Sequence, residues 1–423
     1  MPSKQHVSFL GNNLLHFCII PTPSPFDVTI VPRITLSIAI ILTATLHGFA
    51  ESSPEPNVAL NAPSTLDLDS ASAFVSDQEL TGEEVATDDE DKSDEGSLVA
   101  KQGHGLLALP TANSGPCACG KECVGECGQR AHHEKRLDRL WLVSTRSLSS
   151  NVCNASLNAP HFHVSNLDQC GNTSNACLDD LLTQRIDNRP VLIQVHGNRM
   201  TSDAAVDRGM FVYHNTVIHA NTQPIDFIIF SWPSERTGML LNDGREKAER
   251  TDAEGLYLAW LVRELVQRDS QVAIIGFSFG GRVATGAMHA LAGGKLGGRA
   301  LPGEHVRGAN VSVGLIAPAL EDDWLRNGQY HGLATQNIQQ LSILFNRRDA
   351  VLKRYWLIDA VRGGMALGYT GPKGLAPRFD GTPMPLTSRD CSPSLGIRHD
   401  EKEYYEQSCR AGKQMAKLLQ TSY

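Results

Sequence analysis

Dense lysine and arginine runs interleaved with aromatic residues are missing from this 423-residue chain, which removes support for nucleic-acid binding. Missing too is the G-x-x-x-x-G-K-[ST] spacing of a phosphate loop. The glycine-rich residues 293–298 follow a helical pattern rather than a strand and read as a connector. The apolar stretch at residues 34–46 falls short of the roughly 20 residues a spanning helix needs. Paired C-x-x-C knuckles are absent from the cysteine cluster Cys117, Cys119, Cys123 and Cys127, although His132 and His133 follow it. Zinc held by thiolates and disulfide bonding both stay open there. An oxidising compartment favours the disulfides.

What is present is unevenly spread. The net charge is −8, yet residues 51–100 hold 14 acidic side chains and one lysine, a local −13 that leaves the remainder at +5. The acidity therefore belongs to one segment. From 51 to about 115 the chain is rich in Ser, Pro, Asp, Glu and Ala with few aromatics, so it cannot bury enough apolar surface to offset its ordering entropy. Arg33, the apolar residues 34–46 and Gly48-Phe49-Ala50 have the order of an export signal cut after Ala50. The alternative is an uncleaved anchor that would associate the chain with a membrane. The 33 residues ahead are long for a leading region, so either the signal is extended or translation starts further in. The expected organisation is a signal or anchor at 1–50, a disordered acidic linker at 51–115, a Cys-rich segment at 116–135 and a catalytic domain at 136–423.

The 136–423 region alternates strand and helix patterns. Strands are expected near 139–144, 191–196, 226–231, 272–277, 311–317 and 341–346. Helices are expected from a Ser202 cap to about 219, over 252–268 and over 401–419. This alternation implies an α/β fold with a mostly parallel sheet covered on both faces. The Gly/Pro-rich residues 363–385 read either as a wall or lid over a site or as a loose insertion.

Gly276-Phe277-Ser278-Phe279-Gly280 stands between an apolar run and a helical one. Strand, sharp turn and helix strain the serine backbone and lift its hydroxyl above a sheet. A serine hydroxyl needs a base, and from Asp349 onward the only histidine is His399. Asp349 follows the run 341–345, at the strand end where parallel sheets carry functional loops. Ser, Asp, His is the order of an α/β-hydrolase. Asp322 and Asp323 are the reserve acids. The run 190–195 ends in His196-Gly197-Asn198, so the backbone N–H groups of Asn198 and Phe279 are the expected oxyanion donors. His196 precedes the serine and is read as a brace for that loop.

Residues from about Leu137 to His399 resemble an α/β-hydrolase family of unknown function. The likeness rests on Trp141 with Ser144-Thr145-Arg146, His196-Gly197, Ser231-Trp232-Pro233-Ser234, the serine elbow and Asn346-Arg347-Arg348-Asp349. It implies Ser278, Asp349 and His399 as a triad. Such families usually place His before the serine and a smaller residue after it, whereas this chain has Phe277 and Phe279; specificity therefore does not transfer. The expected activity is serine hydrolysis of an ester or related acyl bond in a small or lipid-like substrate, without metal or organic cofactor. The alternatives are acyl transfer or peptide cleavage by the same residues, and a non-catalytic binding domain. Cys391 and Cys409 flank His399, and a bridge between them would restrict its loop. Cys170 and Cys177 are placed to close a small loop, leaving Cys153 to pair elsewhere.

Overall fold

The structure, a computed structural model, describes residues 137–420 apart from 184–188, 221–223, 239, 359–362 and 407. The signal or anchor, acidic linker and Cys-rich segment lie outside the described residues.

The chain enters with β1 (Arg139–Ser144), then turns back through β2 (His163–Leu167) and β3 (Thr173–Ala176) to the short helix α1 (Leu178–Thr183). Strand–helix alternation follows: β4 (Val191–Val195), α2 (Ser202–Val217), β5 (Asp226–Ser231), α3 (Leu240–Val266), β6 (Val272–Phe277) and α4 (Phe279–Leu291). A small hairpin, β7 (Lys295–Leu296) and β8 (Arg299–Ala300), leads to β9 (Val311–Ile316) and β10 (Ile338–Phe345). The last elements are α5 (Leu367–Thr370), β11 (Leu386–Asp390), α6 (Ser392–Leu395), α7 (Glu401–Glu406) and α8 (Ala411–Ala416).

The nine-stranded sheet runs β11-β10-β9-β6-β4-β5-β1-β2-β3. Pairings from β11 through β1 are parallel, and β2 and β3 add an antiparallel edge. The inner strands β4, β5, β6 and β9 are buried at every position. That explains their unbroken apolar sequences, since helices cover both faces. Trp141, Trp232, Phe227, Phe230 and Tyr257 lie fully inside, each worth about 1.5–3 kcal/mol of burial.

All six expected strands form within a few residues of their expected limits. Helix ends differ more. Thr201, not Ser202, caps α2, its hydroxyl accepting from the Ala204 N–H at 3.2 Å. Helix α3 begins twelve residues before the expected 252, because polar contacts at Asp243 and Lys247 anchor turns that carry little apolar periodicity. The single helix expected over 401–419 is instead α7, α8 and the 3-10 turn Lys417–Leu419, broken at Arg410, whose φ is 57°. Residues 293–298 comprise the turn out of α4, β7 itself and the Gly297-Gly298 turn into β8. Parts of the Gly/Pro-rich stretch are stitched down: Leu367 N–H donates to Leu320 O at 2.7 Å and Gly368 N–H to Pro318 O at 2.9 Å. Among the described residues no helix is long and apolar enough to cross a membrane.

Candidate active site

Ser278 sits between β6 and α4 with φ 51° and ψ −119°. Strained backbone persists only where its surroundings over-determine it. Here Ser278 N–H donates to Ile316 O, and Ser278 O accepts from Gly281 and Ala319 N–H, each at 3.0 Å. The elbow glycines are steric necessities. A Cβ at Gly280 would lie 2.1 Å from Val195 O, and one at Gly276 2.6 Å from Gly280 O. The serine residue is 7% exposed.

The three residues expected to act together do converge. His399 Nε2 lies 3.0 Å from Ser278 Oγ, and His399 Nδ1 lies 2.6 Å from Asp349 Oδ2. Asp349 is fully buried, and its Oδ1 accepts from the N–H groups of Val351 and Leu352, both at 2.9 Å. With Nδ1–H donating to the carboxylate, Nε2 turns its lone pair to the serine hydroxyl. The Phe277 ring lies 5.1 Å from the imidazole and covers it. Asp322, a reserve acid, is instead engaged by Lys373 Nζ at 2.6 Å and Thr370 Oγ1 at 3.0 Å. Among the described residues no hydrogen bond or salt bridge joins Asp323 to His399, and its carbonyl accepts from Arg326 N–H at 2.9 Å.

The histidine loop is held from two sides. Asn346 Nδ2 donates to Gly396 O at 2.9 Å and to Arg398 O at 3.3 Å, and Ala350 N–H donates to Ile397 O at 2.9 Å. Cys391 and Cys409 are bonded, with their Cα atoms 5.4 Å apart. Cys153 is also disulfide-bonded. The suggested Cys170–Cys177 bond is not formed: β3 lies between the two cysteines, and extended backbone carries their ends apart.

The His196–Gly197–Asn198 loop packs against the serine elbow. A Cβ at Gly197 would stand 2.9 Å from the Phe277 ring and 3.2 Å from Ser278 Cβ, so only glycine permits this approach. His196 is a brace. Its Nδ1–H donates to Gly197 O at 2.9 Å, its Nε2 accepts from Trp232 N–H at 3.2 Å, and its ring stacks on Trp232. Burial pushes its imidazole down to about 3, outweighing the Gly197 carbonyl that favours the charged form. Phe279 N–H opens α4 and has no acceptor within that helix. Neither it nor Asn198 N–H donates to another backbone carbonyl among the described residues.

Two supports were not visible in the sequence pattern. Buried Asp243 receives Thr237 N–H at 2.9 Å, Asn198 Nδ2 at 3.4 Å, and Arg199 Nε and Lys247 Nζ at 3.5 Å. Burial alone would raise its carboxyl, but Thr237 N–H and Lys247 hold it below the usual carboxylate range. On the neighbouring strand ends, Arg146 donates to Ser231 Oγ at 2.8 Å and Met200 O at 3.1 Å and pairs with Glu235. Thr145 Oγ1 donates to Glu254, whose carboxyl burial pushes up to about 8. Asp243 and Glu254 resemble ordinary exposed helix acids in sequence; Ser144-Thr145-Arg146 and Ser231-Trp232-Pro233-Ser234 were the only hints. Among the described residues no group of three or more His, Cys, Asp or Glu side chains converges as a metal site.

Residues 173–366 match the family model described as alpha/beta hydrolase of unknown function. The fold is that of an α/β-hydrolase. The matched span includes Ser278 and Asp349 and stops before His399. No curated protein matches the chain. Similar solved structures include an inhibited esterase B from Lactobacillus rhamnosis, at 13% identity over 69% of this chain and 90% of that one, TM-score 0.34. TT1662 from Thermus thermophilus shares 13% identity over 62% and 95%, TM-score 0.32. Zea mays acyl-protein thioesterase 2 shares 15% over 55% and 94%, TM-score 0.29.

Proposed function

We propose that this α/β-hydrolase is a serine hydrolase that cleaves an ester or related acyl bond through an acyl-enzyme. The observation that carries this reading is the hydrogen-bonded chain from Ser278 Oγ to His399 at 3.0 Å and on to Asp349 at 2.6 Å. Ser278 Oγ attacks the carbonyl carbon while His399 Nε2 takes its proton. Asp349 orients the ring and stabilises the imidazolium without itself taking a proton. The carbonyl electrons move to oxygen, where Asn198 and Phe279 N–H groups receive the charge. One such donor is worth about 2.7–4 kcal/mol of barrier. On collapse the bond to the leaving oxygen breaks, and His399 returns the proton to it. Water then repeats the cycle on the acyl-enzyme, releasing the acid and restoring Ser278. The Cys391–Cys409 bond supports placing the domain in an oxidising compartment, in keeping with export directed by residues 34–50.

The test is labelling by a fluorophosphonate, with a hydrolysis screen across acyl chain lengths. Ser278→Ala should lose both labelling and turnover while keeping its melting temperature. Undiminished labelling of that variant would remove the assignment.

A further inference from the structure

The rim around Ser278 carries side chains that the chemistry does not use. Directly after Asp349 comes the 3-10 helix Leu352–Leu357. Leu352 and Tyr355 turn inward at its three-residue period, leaving Val351, Lys353, Arg354 and Trp356 outward. Trp356 is 48% exposed and Ile397, on the histidine loop, 56% exposed. The two segments abut, since Ala350 N–H donates to Ile397 O. At the far end Arg245 Nη2 donates to Leu357 O at 3.1 Å, and a Cβ at Gly244 would meet Ile358 Cδ1 at 2.7 Å. That brings exposed Leu241 of α3 into the same band. The band therefore runs from the His399 loop, past Asp349, to the start of α3, where Asp243 holds the Asn198 loop.

The segment after β10 is mostly basic, while Asp400 and Glu403 near His399 and Glu246 in α3 place acids at the two ends of the band. Between Arg347 and Ile358 there are four basic residues and one acid, Asp349, which is buried against His399. Arg347 is paired with Asp390, whereas Arg348 and Lys353 have no salt bridge among the described residues. Arg348 also lines a cleft of about 620 Å³ with Leu395, Ile397 and Arg398, the last paired with Glu403 in the same cleft.

We propose that this rim is a docking face for an anionic lipid surface. A tryptophan with an apolar body and a polar N–H suits the boundary between headgroups and acyl chains. Basic side chains beside it attract anionic headgroups, at about 1 kcal/mol each near the surface. Their stems lie along apolar surface while the charges stay wet. Docking here turns the Ser278 opening toward the lipid. The docking does not depend on the hydrolytic reading.

The experiment is cosedimentation of the full chain with phosphatidylcholine vesicles, with and without about 30% phosphatidylglycerol. The wild type should pellet with the anionic vesicles alone, and added salt should weaken it. Trp356→Ser/Ile397→Ser should lower the partition coefficient about tenfold. Lys353→Glu/Arg354→Glu should lower it by at least as much. Ser278→Ala should pellet like the wild type, so an inactive protein still reports on docking. Trp356→Ser should turn over a soluble short-chain ester at the wild-type rate. Failure of the wild type to pellet with anionic vesicles, equal pelleting with neutral ones, or wild-type pelleting by either double variant would overturn the proposal. The last result would assign lipid binding elsewhere, residues 34–46 first.

Discussion

Asn346 hands its side-chain amide to the carbonyl of Gly396 at 2.9 Å, joining the strand end that leads to Asp349 to the loop that presents His399. The two loops meet only in three dimensions, 50 residues apart in sequence, and this amide is one of few direct ties between them. Asn346→Ala should lower kcat about 10²-fold with little change in KM, because a displacement of about 1 Å at a reacting group costs that much. Steady-state kinetics and the fluorophosphonate labelling rate should fall together. A change in KM alone would contradict a positioning role.

Asp243 and Lys247 are both fully buried and 3.5 Å apart. Removing Asp243 leaves the buried Lys247 ammonium with only the half-exposed Glu246 carboxylate, 3.9 Å away, and breaking a buried pair costs up to about 3–5 kcal/mol. Asp243→Ala should therefore shift the urea midpoint strongly downward. Asp243→Ala/Lys247→Met should recover much of that loss, because the charge left behind, on Arg199, is partly exposed to solvent. A double variant as unstable as the single one would show that the pair is not the source.

Stability should depend on pH through Glu254 and Glu401. Burial raises Glu254 to about 8 and Glu401 to about 7, from an ordinary 4.5. Between 4.5 and these values the folded state holds protons that the unfolded chain has released. The folded state therefore loses relative stability as pH rises, the contribution being full below 4.5 and gone above about 8. Urea midpoints measured across this window should fall with pH. Glu254→Gln should flatten the slope; an unchanged slope would place the dependence elsewhere.

The bridge between Cys391 and Cys409 encloses His399 in a loop with an 18-residue separation. A closed loop of that order contributes about 3 kcal/mol by restricting the unfolded chain. Cys391→Ser/Cys409→Ser should lower the melting temperature and reduce kcat, as the histidine loop gains freedom. Free thiols at both positions in a non-reducing peptide map of the wild type would refute it.

Much of the domain is legible in the sequence. Strands such as Val191–Val195 and Val272–Phe277 announce themselves because burial on both faces demands uninterrupted apolar residues. The polar β11, Leu386–Asp390, is exposed throughout and carries no such signal. It exists because the edge of β10 offers it parallel backbone pairing. Helix α3 shows the same split: its apolar face from 252 onward is readable, while its first turns owe their helical state to polar partners outside the helix.

By itself the sequence determined the elbow at Ser278 and the order in which Asp349 and His399 follow, because the elbow's steric demands are met within five consecutive residues. Only tertiary structure decided that Asn346 clasps the histidine loop, that Asp243 gathers the Asn198 loop, and that Trp356 and Ile397 share one rim. Such contacts join residues tens to more than a hundred positions apart. A hydrogen bond or shared surface between distant polar groups leaves no periodic mark on the chain, whereas a buried strand must repeat its apolar character at every step.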